Sequence, residues 1–424
     1  MNASTIRRRG LAIRSELWNV LSLCKRNWCS SSESQKTAYI VAVARTAIGS
    51  YGGALKDYTA PQLGGIAIRR AVEVSKIDKS KIDEIYFGNV LSAGVGQAPA
   101  KQACMAAGLA DTIPCTTVNK VCSSGLKSTV FGVQSIQLGL ANIVVVGGME
   151  SMTKSPYYID RLRFGARMGD VKAIDGMIHD GLWDPYEDFH MGMCGEHCAE
   201  ELGISRAEQD NFATKSYSRA AKATQLGSFK NEIVPVTLSD GTVFDADEEV
   251  QRFKQVDRLG ELKTVFKKQN GTVTAGNSSK LSDGAAALVL ASGQAVREYG
   301  LKPLAKIISY ADGEQAPIRF PTTPAKAVKL ALERAKLAVK DVDFWEINEA
   351  FSVVAVANCK LLDLNPEHVN IYGGAVSLGH PIGASGARIL VTLTSVLQQT
   401  SGSIGVAAIC NGGGGATCVV IERT

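Results

Sequence analysis

Several absences narrow the chemistry of this 424-residue chain before any motif is found. Its ten cysteines include no C-x-x-C pair, which argues against a zinc ribbon or a dithiol redox site. His190, Cys194, His197 and Cys198 lie close in sequence, but no second ligand pair follows at zinc-finger spacing. There is no Gly-Lys dipeptide, hence no P-loop, and neither a G-x-S-x-G elbow nor an H-E-x-x-H pair. Gly94-Val-Gly96 lacks the third glycine of a dinucleotide fingerprint. The uncharged stretch from Ser403 to Ile421 is interrupted by Asn411 and the run Gly412 to Gly415, so it does not read as a membrane span. Long low-complexity tracts are missing too.

Charge of one sign is scarce in the body. The formal net charge is +5, and most of it lies in residues 1–35, where Arg7, Arg8, Arg9, Arg14, Lys25 and Arg26 face only Glu16 and Glu33. A nucleic-acid footprint on the remainder is therefore not expected. The leader is rich in Arg and Ser and interleaved with Leu17, Trp18, Val20, Leu21 and Leu23. That is the composition of a mitochondrial transit peptide, so residues 1–36 are expected to be a targeting segment and the destination the matrix. A reducing matrix does not favour a disulfide framework.

The length calls for two or three packed units. Hydrophobic content of 45% with 42 glycines suits an α/β protein with many tight turns. Ala38 to Val43, Glu84 to Phe87 and Ile143 to Val146 read as buried strands; Leu63 to Val74 and Pro99 to Ala107 read as helices. Strands alternating with helices predict a largely parallel sheet with helices on both faces. From about residue 155 to 276 the chain becomes more charged and helical, with a capping box at Ser205-Arg-Ala-Glu208 and a helix stop at Gly227. Basic residues gather there, among them Arg206, Arg219, Arg252, Arg258 and Lys267, as a solvated face or as a seat for a large anionic substrate. The strand-and-helix pattern then recurs from Ala285 to the C-terminus. Two similar halves predict a site at their seam.

Three glycine-rich turns at strand ends carry Cys122, His380 and Cys410. Cys122 opens an apolar helix from Ser123 to Leu140. The free N–H groups and dipole of its first turn favour a thiolate, although an inert core cysteine is the alternative. A neutral His380 beside it would take its proton.

Asn119-Lys-Val-Cys-Ser-Ser-Gly125, Asn348-Glu-Ala-Phe351, Gly379-His-Pro-Ile-Gly-Ala-Ser-Gly386 and Cys410-Asn-Gly-Gly-Gly-Gly415, in that order, resemble the thiolase family over residues 38–424. The resemblance implies an α/β fold of duplicated βαβαβ halves, with mixed five-stranded sheets in an α-β-α-β-α core and an inserted loop domain. The halves would span 37–155, completed by about 280–300, and 301–424, with the insert at 156–279. It implies reversible thiolytic cleavage of acetoacetyl-CoA through an acetyl-Cys122 intermediate, with 2-methylacetoacetyl-CoA as a second substrate suggested by Phe320-Pro321. Cys122 would be nucleophile, His380 its activator and Cys410 the second proton carrier. Asn348 with His380, and the N–H groups of Cys122 and Gly412, would hold the two oxyanions. By the same carry-over, Tyr217, Arg252, Arg258, Ser279, His190 and Phe320 would contact coenzyme A and substrate. Tyr217, Ala275, Gly276, Ser278 and Val376 would hold potassium, and the protein would be a tetramer. A longer-chain 3-ketoacyl-CoA thiolase, a ketoacyl synthase and an acyl-CoA or lipid carrier are the competing readings. Cys410, where a synthase has histidine, speaks against the second.

Overall fold

The computed structural model describes residues 36–252 and 256–424. The leader read as a transit peptide lies outside the described residues.

Nine strands form the frame, and their order repeats. In the first half, β1 (Ala38–Thr46), β2 (Glu84–Gly88), β3 (Cys115–Val118), β4 (Ile143–Ser151) and β5 (Ser282–Ser292) lie side by side as β1-β5-β4-β2-β3. In the second, β6 (Ala305–Glu314), β7 (Phe344–Ile347), β8 (Ile404–Asn411) and β9 (Gly415–Arg423) lie as β6-β9-β8-β7. The sheets are mixed: β2 is parallel to β3 and β4, but β5 is antiparallel to β4 and β1. The strand–helix alternation alone had suggested mostly parallel pairing. The long insert before β5 takes the place of a crossover helix, so its direction is free to reverse.

The second half departs from five strands. Where β3 would have its counterpart there is a single bridge, Trp345 to Val369. The Asn370 side chain explains it, because its amide takes both the N–H and the carbonyl of Ile347 at 2.8 Å. Those are the groups a fifth strand would pair. The two edge strands β1 and β6 meet with Tyr39 opposite Lys306 and Ile40 opposite Ala305. The halves thereby share one continuous 11-stranded sheet, counting the short segments Gly49–Ser50 and Ile233–Val234.

Helices complete five layers. α1 (Ala60–Ser75) and α2 (Pro99–Ala106) cover the outer face of the first half. α3 (Ser124–Leu138) lies inside. α4 (Gly192–Glu201) and α5 (Arg206–Leu226) belong to the insert; α6 (Thr323–Ala335) and α7 (Ser352–Leu362) follow in the second half, and α6 packs on its outer face. α8 (Ile382–Gln399) is buried from Ile382 to Leu397. One apolar cluster holds Leu126, Val130 and Val133 of α3 and Ile389, Leu390 and Leu393 of α8. Val144, Val146 and Leu288 join it from one half, and Ala407, Ile409 and Val419 from the other. The central pair α3 and α8 crosses at backbone contact: a Cβ on Gly125 would come 2.7 Å from the Ala387 nitrogen, and one on Gly386 would come 2.5 Å from that of Leu126. Glycine is required there by proximity. This crossing brings the first turns of both helices to one place.

Arg45 of β1 fastens the insert. Fully buried, it reaches Glu232 at 2.6 Å and Asp247 at 2.7 and 2.9 Å, with Phe229 under its guanidinium at 4.9 Å.

Candidate active site

Cys122 stands two residues before α3 in a turn held by its neighbours. Val121 has φ +47, a conformation a β-branched residue avoids, and the turn over-determines it. Asn119 Oδ1 accepts the Val121 N–H at 3.0 Å; Ser124 Oγ accepts the Lys120 N–H at 2.8 Å and donates to the Val121 carbonyl at 2.6 Å. Ser123 Oγ, at the same turn, donates to the Ile409 carbonyl (3.1 Å) and Asn411 Oδ1 (2.8 Å), the residues on either side of Cys410. The two cysteine turns are thus bonded to one another.

The Cys122 thiol is half-buried, and desolvation pushes it up to about 12 despite the Gly412 N–H and its own N–H, which pull it down. The helix start does not yield a standing thiolate, as the sequence had suggested; loss of water outweighs it. Cys410, fully buried, lies well above its ordinary value, from burial first and from Cys122 next.

His380 stands two residues before α8. Its N–H donates to the Lys280 carbonyl at 2.9 Å. Nδ1 lies 2.6 Å from Ser385 Oγ, whose own hydrogen points to the Pro381 carbonyl at 2.9 Å. Nδ1 must then be the donor, which leaves Nε2 as a bare lone pair. Nε2 is buried without a partner among the described residues, and burial pushes the imidazole down to about 3, with Arg388 acting in the same direction. It is a neutral base waiting for a proton. Ile382 of the same turn shares an apolar cluster with Val121 and Cys122.

Asn348 follows β7. Its N–H bonds the Ala408 carbonyl at 3.0 Å, yet both amide atoms of its side chain are buried without a partner among the described residues. Orphaned amides are costly and therefore informative.

The sequence did not single out the supports of these turns. Glu150, at the end of β4, accepts from Asn89 Nδ2 (2.7 Å) and the N–H groups of Val90 (3.0 Å) and Gly383 (2.9 Å), tying the first half to the His380 turn. Burial pushes its carboxyl up to about 7. A glutamate in an otherwise apolar strand was the available signal. Glu349 likewise gathers Ser216, Asn370 and the Val376 N–H.

The residues expected to contact coenzyme A are spread more widely. Phe320 is buried in one cluster with Met191, Phe351 and Cys410. His190 stacks on Phe266 at 4.6 Å, accepts the Gly192 N–H through Nδ1 at 3.1 Å, and has its pKa lowered by burial. The Ser279 N–H bonds the Ala350 carbonyl at 3.1 Å. Arg252 and Arg258 are exposed and paired to Glu248 (3.4 Å) and Glu261 (2.6 Å). Tyr217 is buried, its hydroxyl donating to the Gly276 carbonyl at 3.2 Å. Val376 packs beside Tyr217. Cys194 and Cys198 are core residues, and His197 sits 3.8 Å from Glu201.

The arrangement supports acyl transfer: a protected thiol, a neutral base, a second thiol and an unfilled amide at the strand ends where α/β sheets bind ligands. Known proteins resemble the chain over nearly all of the described residues. Residues 38–294 match the thiolase N-terminal domain and residues 301–423 the thiolase C-terminal domain. Acetyl-CoA acetyltransferase 1 of Arabidopsis thaliana is 53% identical over 388 residues, covering 90% of this chain and 93% of that one. The acetyl-CoA acetyltransferase of Saccharomyces cerevisiae is 50% identical over 396 residues, 92% of this chain and 99% of that one. A thiolase from Ascaris suum, crystallised in complex with coenzyme A, superposes with a TM-score of 0.88 at 43% identity, covering 92% of this chain and all of that one. The chain belongs to the thiolase family.

Proposed function

We propose that the chain acts as an acetyl-CoA C-acetyltransferase, cleaving acetoacetyl-CoA with coenzyme A and running the reverse condensation. The observation that carries this reading is the bare His380 Nε2 at the crossing of α3 and α8, in a turn packed against that of Cys122. In cleavage, Cys122 gives its proton to Nε2 and its sulfur attacks the 3-keto carbon. The imidazole then holds N–H on both nitrogens. The 3-keto oxygen becomes an oxyanion facing the N–H groups of Cys122 and Gly412. Nε2–H, with the Asn348 amide through a water, is a donor for the enolate oxygen that forms on the thioester as the C2–C3 bond breaks. The bond between C2 and C3 breaks, its electron pair goes to C2, and Cys410 supplies the proton that completes acetyl-CoA. Coenzyme A enters as the second thiol and gives its proton to the Cys410 thiolate. It attacks the acetyl carbon, with the oxyanion facing the N–H groups of Cys122 and Gly412. Cys122 leaves and recovers its proton from His380. Neither cysteine is ionised beforehand, so the resting site is neutral and charge develops only with substrate bound.

The insert, residues 156–279, would hold coenzyme A through Tyr217, Ser279, His190, Arg252 and Arg258. Phe320 packs in one cluster with Cys410, and 2-methylacetoacetyl-CoA would be a second substrate on the strength of the Phe320-Pro321 resemblance. A tetrameric assembly and a matrix destination, the latter from the leader's composition, belong to the same reading. Mass spectrometry after treatment with acetoacetyl-CoA tests the core of it. An acetyl group on Cys122 that free coenzyme A removes is expected, and its absence overturns the proposal. Comparable kcat/KM for a long-chain 3-ketoacyl-CoA would overturn the short-chain assignment.

A further inference from the structure

The potassium ligands implied by family resemblance do come together here, but a cation is already built in among them. Tyr217 of α5, the loop 274–280 and Val376 form one cluster, in which the Tyr217 hydroxyl bonds the Gly276 carbonyl. Lys280 folds back into it. Its Nζ donates to the carbonyl of Ala275 and, at 3.3 Å, to that of Ser278, and it lies 5.6 Å from the centre of the Tyr217 ring. Two carbonyl oxygens and an aromatic face are what a monovalent cation selects. The opposite side of the loop is closed. Leu259 and Leu262 pack so tightly on Gly276 that a Cβ there would come within 2.4 and 2.6 Å of them. A free potassium ion on the Ala275 and Ser278 carbonyls would have to share them with a like charge. The residues present do not fit a potassium site.

The loop matters to the reacting groups through its backbone. The Lys280 carbonyl receives the His380 N–H at 2.9 Å, the Ser279 N–H bonds Ala350 at 3.1 Å, and the Asn277 carbonyl receives the Ser352 N–H at 2.8 Å. One seven-residue segment thus sets the histidine turn and the turn after Asn348.

We propose that the Lys280 ammonium is the resident monovalent cation of this loop, a tethered substitute for potassium that positions His380 and makes the protein indifferent to the free ion. Lys280 is a positioning residue in this scheme, since it touches neither the reacting carbons nor the cysteines. The test compares wild type, Lys280→Ala and Lys280→Met in potassium chloride and in tetramethylammonium chloride at equal ionic strength. Melting temperature and kcat/KM for acetoacetyl-CoA are both read. Wild type is expected to show the same melting temperature and rate in the two salts. Lys280→Ala, which opens a site, is expected to melt lower in tetramethylammonium. Its kcat/KM should fall on the order of 10- to 100-fold, the scale of a slightly misplaced catalytic group. Potassium or methylammonium should restore both in a saturable way. Lys280→Met, whose uncharged stem fills the space, should show the loss without the rescue. Wild type stabilised or activated by potassium over tetramethylammonium overturns the proposal, and so does a Lys280→Ala protein that ignores both potassium and methylammonium. If Lys280→Ala folds in no salt, the wild-type comparison decides. The melting arm needs no turnover, so failure of the proposed reaction and failure of the built-in cation are separately visible.

Discussion

Asn348 sets buried polarity against catalysis within a single side chain. Its amide is almost wholly buried, and neither of its polar atoms has a partner among the described residues. Such an amide costs stability when it is left dry, so its use must lie in what it binds. Replacing Asn348 by Ala should leave the urea midpoint unchanged or raise it. It should lower kcat/KM about 100- to 1,000-fold, the loss typical of one oxyanion donor. A marked fall in stability with activity intact would instead make the residue structural. His380 gives a second residue-scale prediction, read through pH. Burial holds its folded pKa near 3, while the unfolded side chain titrates near 6.5. Between those values the unfolded chain binds the extra proton. The histidine's contribution to stability is therefore full above about pH 6.5 and is lost as pH falls towards 3, at about 1.4 kcal/mol per pH unit. His380→Gln lacks this slope. Measured by denaturant midpoints, the variant should gain on wild type by about 2 kcal/mol between pH 7 and pH 5. Parallel pH dependences would exclude the buried neutral imidazole.

Among the elements, β1 carries the least expected group in the chain. Arg45 lies inside an otherwise apolar strand, wholly buried, with two carboxylates of the insert around it. Arg45→Met keeps the volume but strands Glu232 and Asp247 as buried charges. It should cost about 3–5 kcal/mol, measured by chemical unfolding. A loss below about 1 kcal/mol would show that the insert docks by apolar contacts alone. That pair marks the boundary of what the sequence made legible. Strand β4 and the glycine turns were readable because burial on both faces leaves an apolar run that stops at glycine. The four motifs likewise pointed to residues the fold brings to one place. Arg45 was not readable, because its partners are 187 and 202 positions away. The missing fifth strand depends on an Asn370 side chain imitating backbone, which leaves no mark on periodicity. Lys280 looked like any loop lysine until the carbonyls of Ala275 and Ser278 turned towards it. The start of α1 was a readable miss: Thr59 and Gln62 form a capping box that opens the helix at Ala60, three residues before it was expected. At Cys122 the failure was one of magnitude, since a helix terminus can be read locally but desolvation cannot.

For the molecule as a whole, duplication distributes one site over two halves. The first half supplies Cys122 and the second supplies Asn348, His380 and Cys410, while α3 and α8 are packed against both sheets at once. Neither half can bury its inner helix alone, so the halves are expected to fold as one unit in spite of their repeated topology. Leu390 offers a way to test this, because it is fully buried in the shared cluster at the centre of α8. Leu390→Ala should cost about 2–5 kcal/mol through lost contacts and the cavity left behind. If the seam is cooperative, that loss appears in every probe together. The buried indole of Trp345 in β7 reports the second half, and hydrogen exchange along β4 reports the first. Both should move to the same lower denaturant midpoint, with acetyl transfer vanishing across the same transition. Separate midpoints for Trp345 and β4 would mean that each half is stable by itself and that the crossing at Gly125 and Gly386 only aligns two finished domains. Residues 301–424 expressed alone extend the test. With the α3-facing side of α8 uncovered, the fragment should show exchange without protection and bind apolar dyes, as a chain that has lost half of its core does.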